Sequence, residues 1–152
     1  MAEETQRDAG GAGPAAGGEP AAGAVIRTKH GTLTLAELAE IQPGLGRLMP
    51  EVSDAYLTAA FAARGGNFGL ARYMVRKVKN LLRIGGTTRP KYEKWLAAFS
   101  AGTLEPLEKA AEAHDLTAFE AAFARGFEVA NRIHAETGHP EIVWRLPPEP
   151  PR

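Results

Sequence analysis

Apolar positions follow two different rhythms along this chain of 152 residues. Near the start, Val25-Ile26-Arg27-Thr28 and Thr32-Leu33-Thr34-Leu35 flank Lys29-His30-Gly31. That pattern reads as a small β-hairpin in which Gly31 supplies a positive φ. Thr34 then opens Thr-Leu-Ala-Glu, with Glu37 spaced to reach back to the cap. A short helix follows, with Leu35, Leu38 and Ala39 on one side, and stops before Pro43, because the residue preceding a proline is pushed out of the helical region.

From residue 44 onward apolar residues recur every three or four positions, the period of a helix with one buried face. The first long pattern carries Leu45, Leu48, Val52, Ala55, Tyr56, Ala59 and Ala63, with Pro50 either opening or kinking it, and ends at Gly65-Gly66. Asn67 is a suitable cap for the second, whose expected buried face is Leu70, Met74, Val78, Leu81 and Leu82 and whose expected end is Gly85-Gly86. Pro90 suits the first turn of the third, which carries Tyr92, Trp95, Leu96 and Phe99. Gly102 and Pro106 interrupt that stripe before Leu107, Ala110 and Ala111 resume it, so a kink or short break is expected there. Asp115 or Thr117 caps the fourth, with Phe119, Phe123, Phe127, Ala130 and His134 on one face, and Gly138 and Pro140 end it.

Four amphipathic helices with short connections predict an all-α fold, an antiparallel four-helix bundle carrying a small N-terminal hairpin. The expected organisation is a disordered Gly/Ala/Pro-rich tail over 1–24, hairpin and short helix over 25–43, the bundle over 44–146 and a proline-rich tail over 147–152. The first segment has almost no large apolar residue with which to offset its ordering entropy. Ile142, Val143, Trp144 and Leu146, near the other end, are expected to pack back on the bundle.

Composition removes several chemistries. There is no cysteine, hence no disulfide, zinc-thiolate site, thiol catalysis or thioether-linked haem. Eighteen Lys and Arg balance eighteen Asp and Glu, which argues against nucleic-acid binding by net charge. Neither a signal peptide nor an apolar run of about 18 residues is visible, so no membrane span and a cytoplasmic location are expected. Phosphate-loop and dinucleotide fingerprints are absent. So is Gly-x-Ser-x-Gly, and nothing pairs Ser53 with a histidine; catalysis is not indicated.

Two features remain. Between Arg72 and Lys94 eight basic residues face a single acid, Glu93, whereas between Glu105 and Glu128 six acids face Lys109 and Arg125. Arg72, Arg76, Lys79 and Arg83 are the candidate docking residues for an acidic partner; the ordinary alternative is two helix faces that attract each other. Nucleic acid would call for interleaved aromatics, and only Tyr73 and Tyr92 offer them. The other feature is His134, at the end of a phenylalanine-rich face, where a neutral imidazole can ligate a metal or haem iron. Phe123, Phe127 and Trp95 are the candidate walls for a planar molecule there. The ordinary alternative is a histidine hydrogen-bonded to a neighbour near Trp144.

The helix order and the stretch Ala130-Asn131-Arg132-Ile133-His134 resemble the cytochrome c-prime type of four-helix bundle. That resemblance implies a haem pocket near the end of the last helix, with His134 as axial ligand. Ala130 and Ile133 stand at the two cysteine positions, so covalent attachment is excluded. The resulting expectation is a non-catalytic accessory or interaction protein, docking a protein partner or forming a homodimer, on a cytochrome-like bundle without covalent haem. The alternative is a module holding a non-covalent haem or other planar molecule at His134 for sensing, carriage or electron transfer.

Overall fold

A computed structural model describes residues 24–148. They are mostly helical, with one two-stranded antiparallel hairpin near the N-terminus, and fall into two compact units that divide after Ile41. The expected tail over 1–24 lies outside the described residues except for Ala24, as does the proline-rich end beyond Pro148.

In the first unit β1 (Val25–Thr28) pairs with β2 (Gly31–Thr34) in the register Val25↔Thr34 to Thr28↔Gly31. The second strand therefore starts one residue earlier than the pattern suggested, with Lys29-His30 alone making the turn. Gly31 has φ +146°, a conformation few side chains tolerate. Leu35 leaves the strand because Thr34 caps α1 (Leu35–Ile41): the Glu37 N–H donates to Thr34 Oγ1 at 3.1 Å, and the Thr34 N–H donates to Glu37 Oε2 at 2.7 Å. This is the reciprocal capping box that the sequence spacing allows.

The second unit contains α2 (Leu45–Arg64), α3 (Phe68–Thr88), a 3₁₀ turn (Pro90–Tyr92), α4 (Glu93–Phe99), α5 (Glu105–Glu112) and α6 (Leu116–Glu136). Helix α3 lies against α2 and against both α4 and α5, and α6 lies against α2, α4 and α5. The buried face of α2 runs from Leu48 through Val52, Tyr56 and Ala59 to Ala63, as its periodicity requires. Pro50 neither starts that helix nor ends it; it lies inside and leaves the Gly46 carbonyl without its usual donor. At the other end Gly66 takes φ +76°, and the Asn67 N–H reaches the Ala62 carbonyl at 2.8 Å, a Schellman closure. Asn67 then turns its side chain to the Leu70 N–H at 3.0 Å and caps α3.

Helix α3 departs from its reading twice. Val78, Leu81 and Leu82 are buried as expected, but in the first half Ala71 and Val75 are buried instead, one residue round from Leu70 and Met74, and Leu70 is 37% exposed. Ala71 and Val75 are both completely buried. Nor do Gly85 and Gly86 end the helix, which runs on to Thr88. A Cβ on Gly85 would come within 2.8 Å of Leu45 Cδ2 and 3.4 Å of Leu96 Cδ1. These glycines admit neighbouring side chains rather than release the chain.

The expected interruption between α4 and α5 is a π-helical turn over Ser100–Leu104. Pro106 has no N–H to give to the preceding turn, and the ladder changes register just before it, with the Glu105 N–H bonded to the Ser100 carbonyl. The extra residue places Thr103 and Leu104 in the core. The α5 end closes on His114 at φ 54°, and Asp115, not Thr117, caps α6 by accepting from the Ala118 N–H at 2.9 Å.

At the centre Tyr56 is fully buried. Its ring stacks on Phe123 at 4.7 Å and on Trp144 at 5.2 Å, and its hydroxyl donates to the Phe123 carbonyl at 2.9 Å. Trp144 is half-buried there, but Ile142, Val143 and Leu146 are exposed, so the C-terminal segment packs back through one residue rather than four. Asn131 explains why: it grips Trp144 from both sides, accepting from its N–H at 2.6 Å and donating to its carbonyl at 3.1 Å. The neighbouring side chains gain no such anchor. No helix among the described residues is long and apolar enough to cross a membrane.

Candidate functional site

The α6 ladder ends in a second Schellman closure, with Gly138 at φ +89° and the His139 N–H on the His134 carbonyl at 2.8 Å. The chain then doubles back along α6, and this return brings Ile142 and Trp144 beside His134. His134 Nδ1 lies 3.0 Å from the Ile142 carbonyl. A carbonyl only accepts, so Nδ1 carries the proton and Nε2 keeps its lone pair in the neutral ring. Burial holds the imidazole below its ordinary basicity, the Ile142 carbonyl acts in the opposite sense, and His139 adds to the depression. His134 is thus a neutral imidazole in a fixed tautomer, with its ring edge-on to Trp144 at 6.5 Å.

This imidazole lines a cleft of about 700 Å³ between the first turns of α2, the Arg89-to-Leu96 stretch and the end of α6. Met49, Tyr92, Trp95, Ile133 and Trp144 make its apolar surface. A deeper void of about 50 Å³ shares Met49, Trp95, His134 and Trp144 and reaches Phe99 and Ala130 in the core. Clefts of several hundred cubic ångströms with mostly apolar walls and a few polar groups are the usual form of small-molecule sites.

The candidate residues divide unevenly around it. His134 and Trp95 both line the cleft. Phe123 and Phe127 do not: Phe123 is 1% exposed beneath Tyr56, and Phe127 meets Phe123 and Trp144 edge-on at 5.0 and 6.0 Å. They support the wall from behind. Tyr92, Met49, Ile133, Arg89 and Lys91 were not singled out as lining residues, although Arg89 and Lys91 belong to the basic run. Among the described residues no group of three His, Asp or Glu side chains could share a metal ion, so His134 would ligate one alone.

The basic residues of α3 behave differently from a free docking stripe. Arg76 and Lys79 reach Glu108 at 2.5 and 3.0 Å, and Arg72 reaches Glu112 at 2.9 Å and Glu108 at 3.8 Å. Arg83 donates to Asn80 at 3.0 Å. The cations and the acids of α5 face each other across a helix pair. Arg76, Lys79 and Arg83 border an open recess together with Glu108.

No protein-family model, curated protein sequence or solved structure matches this chain.

Proposed function

We propose that this chain is a non-catalytic binding module that holds a small apolar or planar molecule in the His134 cleft. In this reading α2, α3, the α4–α5 helix and α6 form an antiparallel four-helix bundle, and the C-terminal return through Trp144 supplies one wall. The observation that carries it is the cleft itself, about 700 Å³ with Trp95 and Trp144 as flat walls and a neutral His134 among them. Ser53 also lines the cleft, but among the described residues no hydrogen bond joins it to His134, which is bonded to Ile142, or to His139, which is bonded to Glu141; that favours binding over turnover. Haem is one molecule of the right shape: His134 would offer Nε2 to the iron, its other nitrogen oriented by the Ile142 carbonyl as ligating histidines usually are. Docking of an acidic protein partner, or of a second copy, through Arg72, Arg76, Lys79 and Arg83 is the weaker reading, because three of these cations already face Glu108 and Glu112.

The test uses Gly46, which lines the cleft and whose added Cβ would meet nothing within 4 Å. A thermal-shift and tryptophan-fluorescence screen of neutral and anionic apolar compounds, with haemin included, should give saturable hits in the parent chain. Gly46→Phe adds a ring at the cleft lining where there is open space and should remove them. A haem complex would show a Soret band lost in His134→Ala. Hits that survive Gly46→Phe unchanged, or no hits at all, overturn the reading.

A further inference from the structure

The charged side chains that line the cleft, Arg89 and Lys91, are of one sign; His134 and His139 line it too, and no Asp or Glu does. Among the described residues neither Arg89 nor Lys91 forms an ion pair with a carboxylate, whereas Arg72, Arg76 and Lys79 all do. His139 differs, with Nδ1 3.3 Å from Glu141. Arg89 is half-buried and positioned by the chain itself. One terminal nitrogen donates to the Thr88 carbonyl at 2.5 Å, and the other lies where a Cβ on Gly44 would come within 3.0 Å. Lys91 stands 4.6 Å above the Tyr92 ring. The same cleft is lined by the apolar side chains of Met49, Trp95, Ile133 and Trp144.

A wholly apolar ligand would cover the two cations and strip their water without giving them a partner, which is costly. A cationic ligand would be repelled. An apolar body bearing a carboxylate satisfies both halves, because charge-assisted hydrogen bonds to a guanidinium and an ammonium replace the lost water. We infer that the cleft takes an amphipathic carboxylate, its head group held by Arg89 and Lys91 and its apolar body lying against Met49, Trp95, Ile133 and Trp144. This rests on the cleft being the binding site, as proposed above. Two kinds of molecule share this chemistry, a fatty acyl carboxylate and a porphyrin with its propionates.

The probe is 11-(dansylamino)undecanoic acid, titrated into the full chain beside its methyl ester, which keeps the body and loses the charge. The acid should bind at least about tenfold more tightly than the ester, the ratio expected of a charge-assisted bond. Arg89→Gln with Lys91→Gln should bring the acid down to the level of the ester. Lys91→Glu alone, at an exposed position outside the core, should lower acid affinity and spare the ester if the double variant does not fold. Gly46→Phe should abolish binding of both. Haemin displacing the probe, with a Soret band lost in His134→Ala, supports the inference and names the porphyrin. Oleate displacing it where haemin does not supports the inference and names the acyl chain. Equal binding of acid and ester, both lost in Gly46→Phe, overturns the anion inference and leaves the cleft reading standing. An acid preference unchanged by the Arg89 and Lys91 variants also overturns it. Failure of the acid to bind overturns it as well, and the cleft reading then falls only if the wider compound screen is empty too.

Discussion

The Tyr56 hydroxyl stands where a side chain on Gly126 would have to be. It donates to the Phe123 carbonyl at 2.9 Å, and a Cβ built on Gly126 would overlap it while also coming within 2.9 Å of Thr103 Cγ2. All of these atoms are buried, so nothing can swing aside. Gly126→Ala should cost about 3 kcal/mol, the upper part of the range for overpacking a core. Tyr56→Phe should cost about 1 kcal/mol for the lost hydrogen bond. The double variant should lose less than the sum, because removing the hydroxyl makes room for the methyl group. Urea denaturation of the three variants measures this coupling, and strict additivity would contradict the geometry.

Gly102 is the opposite case. It lies in the π-helical turn, and an added Cβ would meet nothing within 4 Å. Gly102→Ala should therefore raise stability by about 0.5–1 kcal/mol, chiefly by restricting the unfolded chain. A loss instead would mean that the turn needs a conformation alanine resists. The same urea experiment decides it.

Which parts of this fold could be read from the sequence follows from where each signal resides. The ends of α2 and α6 were legible because Gly66 and Gly138 supply the positive φ that closes each helix. Gly85-Gly86 looks the same in sequence but answers to Leu45 and Leu96, which are distant along the chain. The α5 end was hidden for the converse reason: His114 takes φ 54° at the place where glycine usually stands, with its ring stacked on Phe68 at 4.9 Å. In the site, periodicity correctly put His134 on the inward side of α6. It could not show that the face passes from core to cleft along the helix, so Phe123 was grouped with His134 although it is fully buried, and Phe127 although it packs on Phe123 and Trp144 and does not line the cleft. Arg89 and Lys91 look like any other members of the basic run until Glu108 and Glu112 are seen to face the cations before them.

Glu108 gathers three cations, and its removal should be felt. Its carboxyl is held below the ordinary glutamate value of 4.5, first by the hydrogen bond from Arg76 and then by Lys79, with burial opposing both. An acid depressed in the folded state adds stability that is complete above the unfolded value and is lost as pH falls through the folded one. Glu108→Gln should cost up to about 1 kcal/mol at neutral pH, since the cations it releases are substantially solvent-exposed. It should also flatten part of the stability loss below pH 4.5. Glu120, depressed in the same direction by Arg64, keeps part of the remainder, as do Glu37 and Glu141. Chemical denaturation across the acid range checks both effects.

His134 should leave its own mark at higher pH. Its ordinary value of 6.5 is lowered in the folded chain, mainly because the ring is removed from water. Between the folded value and 6.5 the unfolded chain therefore binds more protons than the folded one, and stability rises with pH across that interval and levels off above it. His134→Gln retains an N–H that can reach the Ile142 carbonyl but removes the titration. At about pH 8 the variant should lie within about 1 kcal/mol of the parent, and its stability should fall less between about pH 6.5 and pH 5. His134→Ala should lose the contact to Ile142 as well, loosening the return to Trp144. That appears as a shift in tryptophan emission, best read in a Trp95→Phe background where Trp144 is the sole emitter. If His134→Gln keeps the full slope, the imidazole is solvated like any surface histidine and does not form a wall of the cleft. If the slope shrinks while the Trp144 emission stays in place, His134 is a half-buried imidazole whose pKa is lowered by its place in the cleft wall.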